Sequence, residues 1–241
     1  TSIILWYVQE IKSQVINSKK IHAFKSKDEF LGYIKNQKKI LIALNAEKLI
    51  KCDEELNTIV NENIGYPDGV GAVLALKRKG IQSVKIAGAE FWLDIIENFL
   101  DSKSFYLIGS GEEVINTTVT KLKEDYKNVN IVGFRDGYLN PGDDQILIED
   151  FKRKKPDVIF VAMGSPKQEF LMRNFMLEYK ALYMGLGGSF DVYSGLKKRA
   201  PKIFINLGME WLYRLLKEPT RISRQINLVK FFFNIILDKK Y

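Results

Sequence analysis

Short apolar runs alternate along the chain with longer stretches in which apolar residues recur at helical spacing. The runs that we predict as β-strands are Ile21–Phe24, Lys39–Leu44, Val84–Ala87, Phe105–Ile108, Asn130–Val132, Val158–Met163 and Ala181–Leu186. Helical patterns begin at residue 26, cover residues 46–60, 72–79 and 142–155, and follow three of the strands at Val84–Ala87, Phe105–Ile108 and Val158–Met163. This alternation predicts an α/β fold: a Rossmann-like parallel sheet of about six strands, flanked by helices on both faces.

Residues 156–201 are the most informative stretch of the chain, because their pattern predicts one complete βαβ unit. The first strand, Val158–Met163, runs into a Gly-Ser-Pro turn and a helix. The second strand, Ala181–Leu186, runs into a cluster of glycines and a basic turn. Ligands of such sheets bind outside the carboxyl ends of the strands, so we expect Gly164–Gln168 and Gly185–Asp191 to lie side by side on the functional edge.

Glycine-rich loops follow several of the predicted strands. Three segments carry a partial Gly-x-Gly pattern: Gly69–Gly71, Gly109–Gly111 and Gly185–Gly188. Glycine lets backbone N–H groups approach a phosphate at a helix N-terminus, where partial positive charge already lies. The candidate substrate-binding residues at these strand ends are Gly109, Gly164, Ser165, Lys167, Gln168, Gly187 and Gly188.

The loop at Gly109–Gly111 has two further interpretations. It follows a strand and has Asp136 downstream, as in a dinucleotide-binding fingerprint, but Val114 stands where the third glycine belongs. An NAD-dependent oxidoreductase is therefore an alternative function. Ser110 and Glu113 also have the spacing of a capping box, which favours a purely structural role for this loop.

The sequence Ser165-Pro166-Lys167-Gln168 also has a structural and a functional interpretation. Serine at the N-cap, proline at the first helical position and glutamine at the third form a helix-start signature, which favours the structural role. The same geometry suits a ligand, because a helix that begins at a strand end presents free N–H groups, a lysine and an amide to the crevice.

Asp68 lies in the sequence Tyr66-Pro67-Asp68-Gly69, which we interpret as a turn. A carboxylate in a strand-end turn is also well placed to act as a general base, a role that a protein with one histidine must find among its acids. That histidine, His22, lies in a weakly patterned region and is interpreted as structural. Because the sequence has no Asp-x-Asp pair and no Cys/His cluster, we expect no dedicated metal site.

Composition and charge limit the classes of protein to which this chain can belong. A chain of 241 residues that is 46% hydrophobic can bury a full core, which excludes a disordered protein. The single cysteine, Cys52, excludes an internal disulfide, and no segment near the start resembles a signal peptide, so we expect a cytoplasmic protein. Residues 197–241 hold eleven Lys or Arg against three Asp or Glu, a difference that equals the whole net charge of +8. This asymmetry indicates an anionic partner: a membrane surface, a nucleic acid or a phosphorylated substrate.

The basic C-terminal segment also contains an amphipathic helical pattern after Pro219. Five apolar residues share one face of this helix: Ile222, Ile226, Val229, Phe233 and Ile236. The apolar stretch is interrupted by Lys230 and Asn234 and is shorter than the roughly 20 residues that a membrane span needs. We therefore predict that residues 197–241 form a helical appendage that docks on a membrane, beside an α/β catalytic domain of residues 1–196. Packing of this face on the protein's own core is the alternative.

Three strings of the sequence resemble a known family: VAMGSPKQE, ALYMGLGGSFDVYSG and KRAPKIFINLGMEWLYRLLKEPTRISRQ. They are similar to the WecG/TagA/CpsF glycosyltransferases, and the resemblance runs from about Leu41 to Lys230. Within that family, ALNAEK, the Asp-Gly of YPDGVG, AGAEFW and NIVGFRDGY look most like the branch that transfers N-acetylmannosaminuronic acid in enterobacterial common antigen synthesis. Ala43 stands where teichoic-acid members carry a threonine, which argues against the teichoic branch.

The resemblance implies an inverting, metal-independent transfer of a UDP-activated sugar to undecaprenyl-diphosphate-linked N-acetylglucosamine, without a cofactor, at the inner face of the cell membrane. Asp68 would be the general base, and Asn45 and Gln168 would position the substrate. Three arginines of the appendage would bind the diphosphate: Arg214, Arg221 and Arg224.

The identity of the donor sugar stays open at this point. A uronic acid donor would need a cation near its carboxylate, for which Lys167, Arg135 and Lys197 are candidates. UDP-N-acetylmannosamine and UDP-glucose are the alternative donors within the family. A basic nucleic-acid-binding protein is a further class, which would show salt-sensitive affinity for RNA or DNA.

Overall fold

The structure, a computed structural model, describes residues 11–198 together with residues 200, 201, 204 and 213. The strands are β1 (Ser13–Ile16), β2 (Lys19–His22), β3 (Ile40–Leu44), β4 (Ile64–Pro67), β5 (Ser104–Gly109), β6 (Asn130–Arg135), β7 (Val158–Ala162) and β8 (Leu182–Gly185). The helices are α1 (Lys27–Ile34), α2 (Ala46–Ile50), α3 (Glu54–Glu62), α4 (Val70–Arg78), α5 (Gly88–Phe99), α6 (Glu112–Asp125), α7 (Asp143–Lys154), α8 (Lys167–Glu178) and α9 (Ser189–Tyr193).

Strands β3 to β8 form one sheet in the order β4, β3, β8, β7, β5, β6, and every neighbouring pair is parallel. The predicted Rossmann-like α/β fold with a six-stranded parallel sheet is confirmed. The predicted βαβ unit is also present, since β7 pairs with β8 from Val158 with Leu182 to Val161 with Gly185. Every residue of β7 is buried, which explains why its sequence is continuously apolar.

Helices cover both faces of the sheet, and side chains of the four inner strands alternate between two apolar clusters. In β3, for example, Ile40 and Ile42 pack in one cluster and Leu41 packs in the other. The first cluster contains residues of α2, α3, α4, α7 and α8, and the second contains residues of α1, α5, α6 and α9. Helix α8, after β7, and helix α6, after the neighbouring β5, therefore leave the sheet toward opposite faces. Such a divergence opens a crevice at the carboxyl ends of the strands.

The N-terminal region contains a hairpin that the sequence did not predict. Strands β1 and β2 pair antiparallel, and the two turn residues, Asn17 and Ser18, have φ values of 46° and 63°. Positive φ at both turn residues is typical of a type I′ turn, whose twist matches that of a hairpin. The predicted strand at Ile21–Phe24 is therefore the second strand of this hairpin, displaced by two residues.

Strand β4 includes Tyr66 and Pro67, which the sequence placed in a turn. Residues Ile64–Pro67 pair in register with Leu41–Leu44 of β3, and this pairing overrides the turn tendency of Gly65 and Pro67. Proline is compatible with this position because β4 is the last strand of the sheet on its side.

Two further predictions of secondary structure were wrong. Residues Val84–Ala87 are not a strand, because Val84 donates a backbone hydrogen bond to Phe24 and Ile86 donates one to Pro67, so the bonds go to two separate segments. Residues 46–60 do not form one helix, because the Asp53 side chain accepts a hydrogen bond from the backbone N–H of Leu56 and so caps a new helix, α3.

The predicted appendage of residues 197–241 lies almost entirely outside the described residues, so it stays a prediction, as does the domain boundary before residue 197. Within the described ranges, no helix combines the length and the apolar character that crossing a membrane requires.

Candidate active site

The carboxyl edge of the parallel sheet carries most of the predicted site residues in one row. In sheet order from β4 to β5, the residues at or just after the strand ends are Asp68, Asn45, Gly187, Gly188, Gly164 and Gly109. Because neighbouring strands lie about 4.8 Å apart, this row extends over roughly 19 Å. The pairing of β7 with β8 places the loop at Gly164–Gln168 beside the loop at Gly185–Asp191, as predicted.

Asn45 and Asp68 are neighbours at one end of this row. Leu44 and Pro67, the last residues of β3 and β4, are paired in register, and the backbone N–H of Asp68 donates to the carbonyl oxygen of Leu44 over 3.0 Å. Gly69 follows with a φ of 103°, which glycine adopts readily and which lets α4 begin at the next residue. Asp68 therefore lies between the end of β4 and the start of α4, with its backbone N–H bonded to β3.

The Asn45 side chain is also the N-cap of α2. Its Oδ1 atom accepts a hydrogen bond from the backbone N–H of Lys48 over 2.8 Å, and the residue itself is exposed. Because the cap uses the side-chain oxygen, a contact with substrate would come from the amide nitrogen.

Gln168 does not form the predicted helix-start signature. Helix α8 begins at Lys167 with Pro166 as its N-cap residue, so Gln168 is the second helical residue and not the third. Gln168 is 4% exposed, and its Oε1 atom accepts a hydrogen bond from the backbone N–H of Gly187 over 2.9 Å. The side chain is drawn toward the loop after β8 and away from the start of its own helix.

A buried ion pair joins α2 to α8. Glu169 is 1% exposed, and its Oε1 atom lies 2.7 Å from the Nζ atom of Lys48.

Burial and the charges of Asp68 and Glu169 raise the pKa of the buried Tyr66 hydroxyl well above its usual value, so this hydroxyl stays protonated at neutral pH. Within the described part of the chain, Tyr66 Oη and Glu169 Oε2 are buried without a hydrogen-bond partner.

The sequence analysis missed Glu169, although its sequence contained a signal. Glu169, Met172 and Met176 follow the i, i+3, i+7 spacing of one helix face, and all three are buried. A carboxylate on the apolar face of a helix indicates a specific partner, because an ion is rarely buried without one.

Ser110 does not cap α6 as the capping-box interpretation required. The helix begins at Glu112 after Gly111, and Ser110 itself has a φ of 57°. The Ser110 hydroxyl instead donates to Asp191 Oδ2 over 3.0 Å, and Asp191 Oδ1 lies 2.8 Å from the Nζ atom of Lys197. Ser110 therefore connects the loop after β5 to α9.

Gly109 allows the ends of β5 and β7 to approach closely. A Cβ atom built on Gly109 would lie 2.2 Å from the carbonyl oxygen of Ala162, and φ is 132°. The backbone N–H of Ser110 donates to the same carbonyl oxygen over 3.0 Å. Packing of the two strands is thus sufficient to explain the glycine at this position.

The three basic residues proposed to bind a uronic acid carboxylate differ in their ion-pair partners. Arg135 pairs with Asp143 at 2.5 Å, and Lys197 pairs with Asp191 at 2.8 Å. Lys167 is exposed at the first position of α8, next to the exposed Ser165. Of the three, only Lys167 has no ion pair within the described residues.

Three further predictions concern the C-terminal arginines, the single histidine and a metal site. Arg214, Arg221 and Arg224 lie outside the described residues. His22 is buried, with its Nδ1 atom 3.2 Å from the carbonyl oxygen of Gly65. Across the described ranges, no three His, Cys, Asp or Glu side chains come together in a way that would hold a metal ion.

A family of known proteins matches almost the whole chain. The family described as "Glycosyl transferase WecG/TagA/CpsF family" matches residues 15–241. The matched range includes the whole parallel sheet, all the loops at its carboxyl edge and the basic C-terminal segment. The chain therefore belongs to the WecG/TagA/CpsF family of glycosyltransferases.

Proposed function

We propose that this glycosyltransferase is an inverting enzyme that moves N-acetylmannosaminuronic acid from its UDP-activated form to undecaprenyl-diphosphate-linked N-acetylglucosamine. The product would serve enterobacterial common antigen or a related surface polysaccharide. The observation that carries the proposal is the pair of Asn45 and Asp68 at adjacent strand ends, beside a row of glycine-rich loops. The choice of sugar rests on the sequence resemblance described above.

Asp68 is the general base of the proposed reaction. Its carboxylate takes the proton from the acceptor hydroxyl of N-acetylglucosamine as that oxygen attacks the anomeric carbon of the donor. The bond from the anomeric carbon to the UDP oxygen breaks on the opposite side, and UDP leaves with the bonding electrons. Asn45 and Gln168 hold the reacting sugars, so that the acceptor oxygen attacks in line with the breaking bond to UDP.

The leaving diphosphate needs hydrogen-bond donors and positive charge. Backbone N–H groups of the loops at Gly164 and at Gly187–Gly188, at or near helix N-termini, suit this purpose. In the proposal, Arg214, Arg221 and Arg224 complete the site when the C-terminal appendage docks on the cytoplasmic face of the membrane, where the lipid-linked acceptor lies. No metal or other cofactor takes part, and nucleic acid is not a partner.

A transfer assay with lipid-linked N-acetylglucosamine and separate UDP-sugars tests the proposal. We expect UDP-N-acetylmannosaminuronic acid to be the preferred donor, with inverted anomeric configuration in the product. Preferred transfer from UDP-N-acetylmannosamine or UDP-glucose would contradict the donor assignment. Retention of configuration would contradict the role of Asp68. Titration with NADH and with an oligonucleotide at two salt concentrations tests the two other classes of function.

A further inference from the structure

Glu169 lies at the centre of a hydrogen-bonded network that connects two loops of the candidate active site. Its Oε1 atom accepts from the Nζ atom of Lys48 over 2.7 Å and from the Nε2 atom of Gln168 over 3.3 Å. On one side, the backbone N–H of Lys48 is bonded to Asn45 Oδ1. On the other side, Gln168 Oε1 is bonded to the backbone N–H of Gly187. The Lys48–Glu169–Gln168 network therefore runs from the loop after β3 to the loop after β8.

Stability alone does not account for this network. A buried ion pair seldom adds net stability, because removing two charges from water costs about as much as their attraction returns. One carboxylate oxygen, Oε2, is buried without a hydrogen-bond partner within the described residues, which adds to the cost. Helix α8 is already attached to the core by Met172, Phe175 and Met176. Apolar side chains at positions 48 and 169 would serve packing as well or better.

We propose that Glu169 is a positioning residue of the transfer reaction. Through Lys48 it fixes α2 and hence Asn45, and through Gln168 it fixes the loop at Gly187. The inference rests on the proposed function, in which Asn45 and Gln168 hold the reacting sugars. Two loops that leave separate strands need a rigid connection to keep such contacts aligned, and a misalignment of about 1 Å lowers a rate by roughly 100-fold.

The variant Glu169→Gln tests this role, because it keeps the shape of the side chain and removes its charge. The matched control is Glu55→Gln, which breaks the exposed pair between Arg173 of the same helix and Glu55 of α3. Melting temperatures are measured first, and all assays are run below the lowest of them. We expect Glu169→Gln to lower kcat/KM for transfer by roughly 10- to 100-fold, mainly through kcat, and Glu55→Gln to match the wild type.

Hydrogen exchange gives a readout that does not depend on the reaction. In Glu169→Gln the backbone amides of Lys48 and Gly187 should exchange faster, while amides in the middle of β7 keep their protection. Should wild-type protein fail to transfer sugar, while these amides respond as expected, the proposed function would be wrong and the network correct. Unchanged exchange at both amides would overturn the inference.

A double-mutant cycle with Lys48→Met supplies the second test. If both side chains act through one network, the double variant Lys48→Met with Glu169→Gln should lose no more activity than the worse single variant. Losses in kcat that multiply in the double variant would show two independent effects and would contradict the network.

Discussion

The side-chain oxygen of Gln168 accepts a hydrogen bond from the backbone N–H of Gly187 over 2.9 Å. This bond joins the start of α8 to the loop after β8, at the carboxyl edge of the sheet, where folds of this kind bind their ligands. The amide also donates to the buried Glu169. The fold therefore fixes the position of the Gln168 side chain before substrate binds. Its oxygen must accept and its nitrogen must donate, so the two atoms cannot exchange places.

Replacing Gln168 with Glu should destabilise the protein at neutral pH. The new carboxylate cannot donate to Glu169 and repels it at close range, so the pKa of one of the two acids rises above its unfolded value near 4.3. The penalty is absent below that unfolded pKa and grows as the pH rises. We expect a loss of roughly 1–3 kcal/mol at pH 7.5 and a smaller loss at pH 5.

The control for the same chemical change is Gln145→Glu, at the exposed start of α7. Chemical denaturation of the wild type, Gln168→Glu and Gln145→Glu at the two pH values measures the effect. A Gln168→Glu variant with wild-type stability at pH 7.5 would show that the two side chains do not face each other.

Replacing Gly185 with Ala should disturb the same contact from the other side. A Cβ atom on Gly185 would lie 2.3 Å from Gln168 Nε2, so the amide must move and the Gly187 N–H loses its partner. We expect a loss of roughly 1–3 kcal/mol in stability and lower transfer activity. The control is Gly32→Ala in α1, where a Cβ meets nothing within 4 Å and alanine should stabilise the helix by up to about 1 kcal/mol. Equal behaviour of the two variants would contradict this placement of Gln168.

Because His22 is buried, we expect the protein to lose stability in mildly acidic solution. Burial lowers its pKa below 6.5 and the charge of Lys20 lowers it further, while the hydrogen bond with the Gly65 carbonyl opposes both. The unfolded chain then binds the proton first, so stability should fall as the pH drops below about 6.5. The free energy of unfolding of His22→Gln, measured between pH 8 and pH 5, should show a shallower slope than that of the wild type. Identical slopes would mean that His22 titrates alike in both states.

The sequence predicted the parallel sheet and the row of strand-end loops because both depend on local patterns. Buried strands such as β7 are apolar throughout, and glycines or caps follow them. The roles of Ser110 and Gln168 could not be predicted, since each side chain bonds to a residue far along the chain, Asp191 or Gly187, although a local cap fits its sequence equally well. Strand β4 was missed for a similar reason: its pairing with β3 is a tertiary contact, and Gly, Pro and Asp suggest a turn.

The C-terminal arginines allow the membrane-docking proposal to be tested apart from the fold. The double variant Arg221→Ala with Arg224→Ala keeps the apolar face of the predicted helix, so liposome binding should weaken by only about 1 kcal/mol per charge. Transfer to a lipid-linked acceptor should fall much further, because charge-assisted contacts to phosphate inside a site are stronger than those at a surface. Parallel losses of liposome binding and transfer would make these arginines surface anchors only.

The variant Asp68→Asn tests the central claim most directly. Asparagine preserves the size of the side chain, and the backbone bond from residue 68 to Leu44 remains possible, so the fold and the affinity for UDP should be unchanged. Loss of the base should lower kcat for sugar transfer by roughly 10²- to 10⁴-fold. The measurement is kcat at saturating donor and acceptor, alongside the melting temperature and UDP affinity of the same preparation. A kcat of Asp68→Asn equal to that of the wild type would contradict the role of Asp68 as general base.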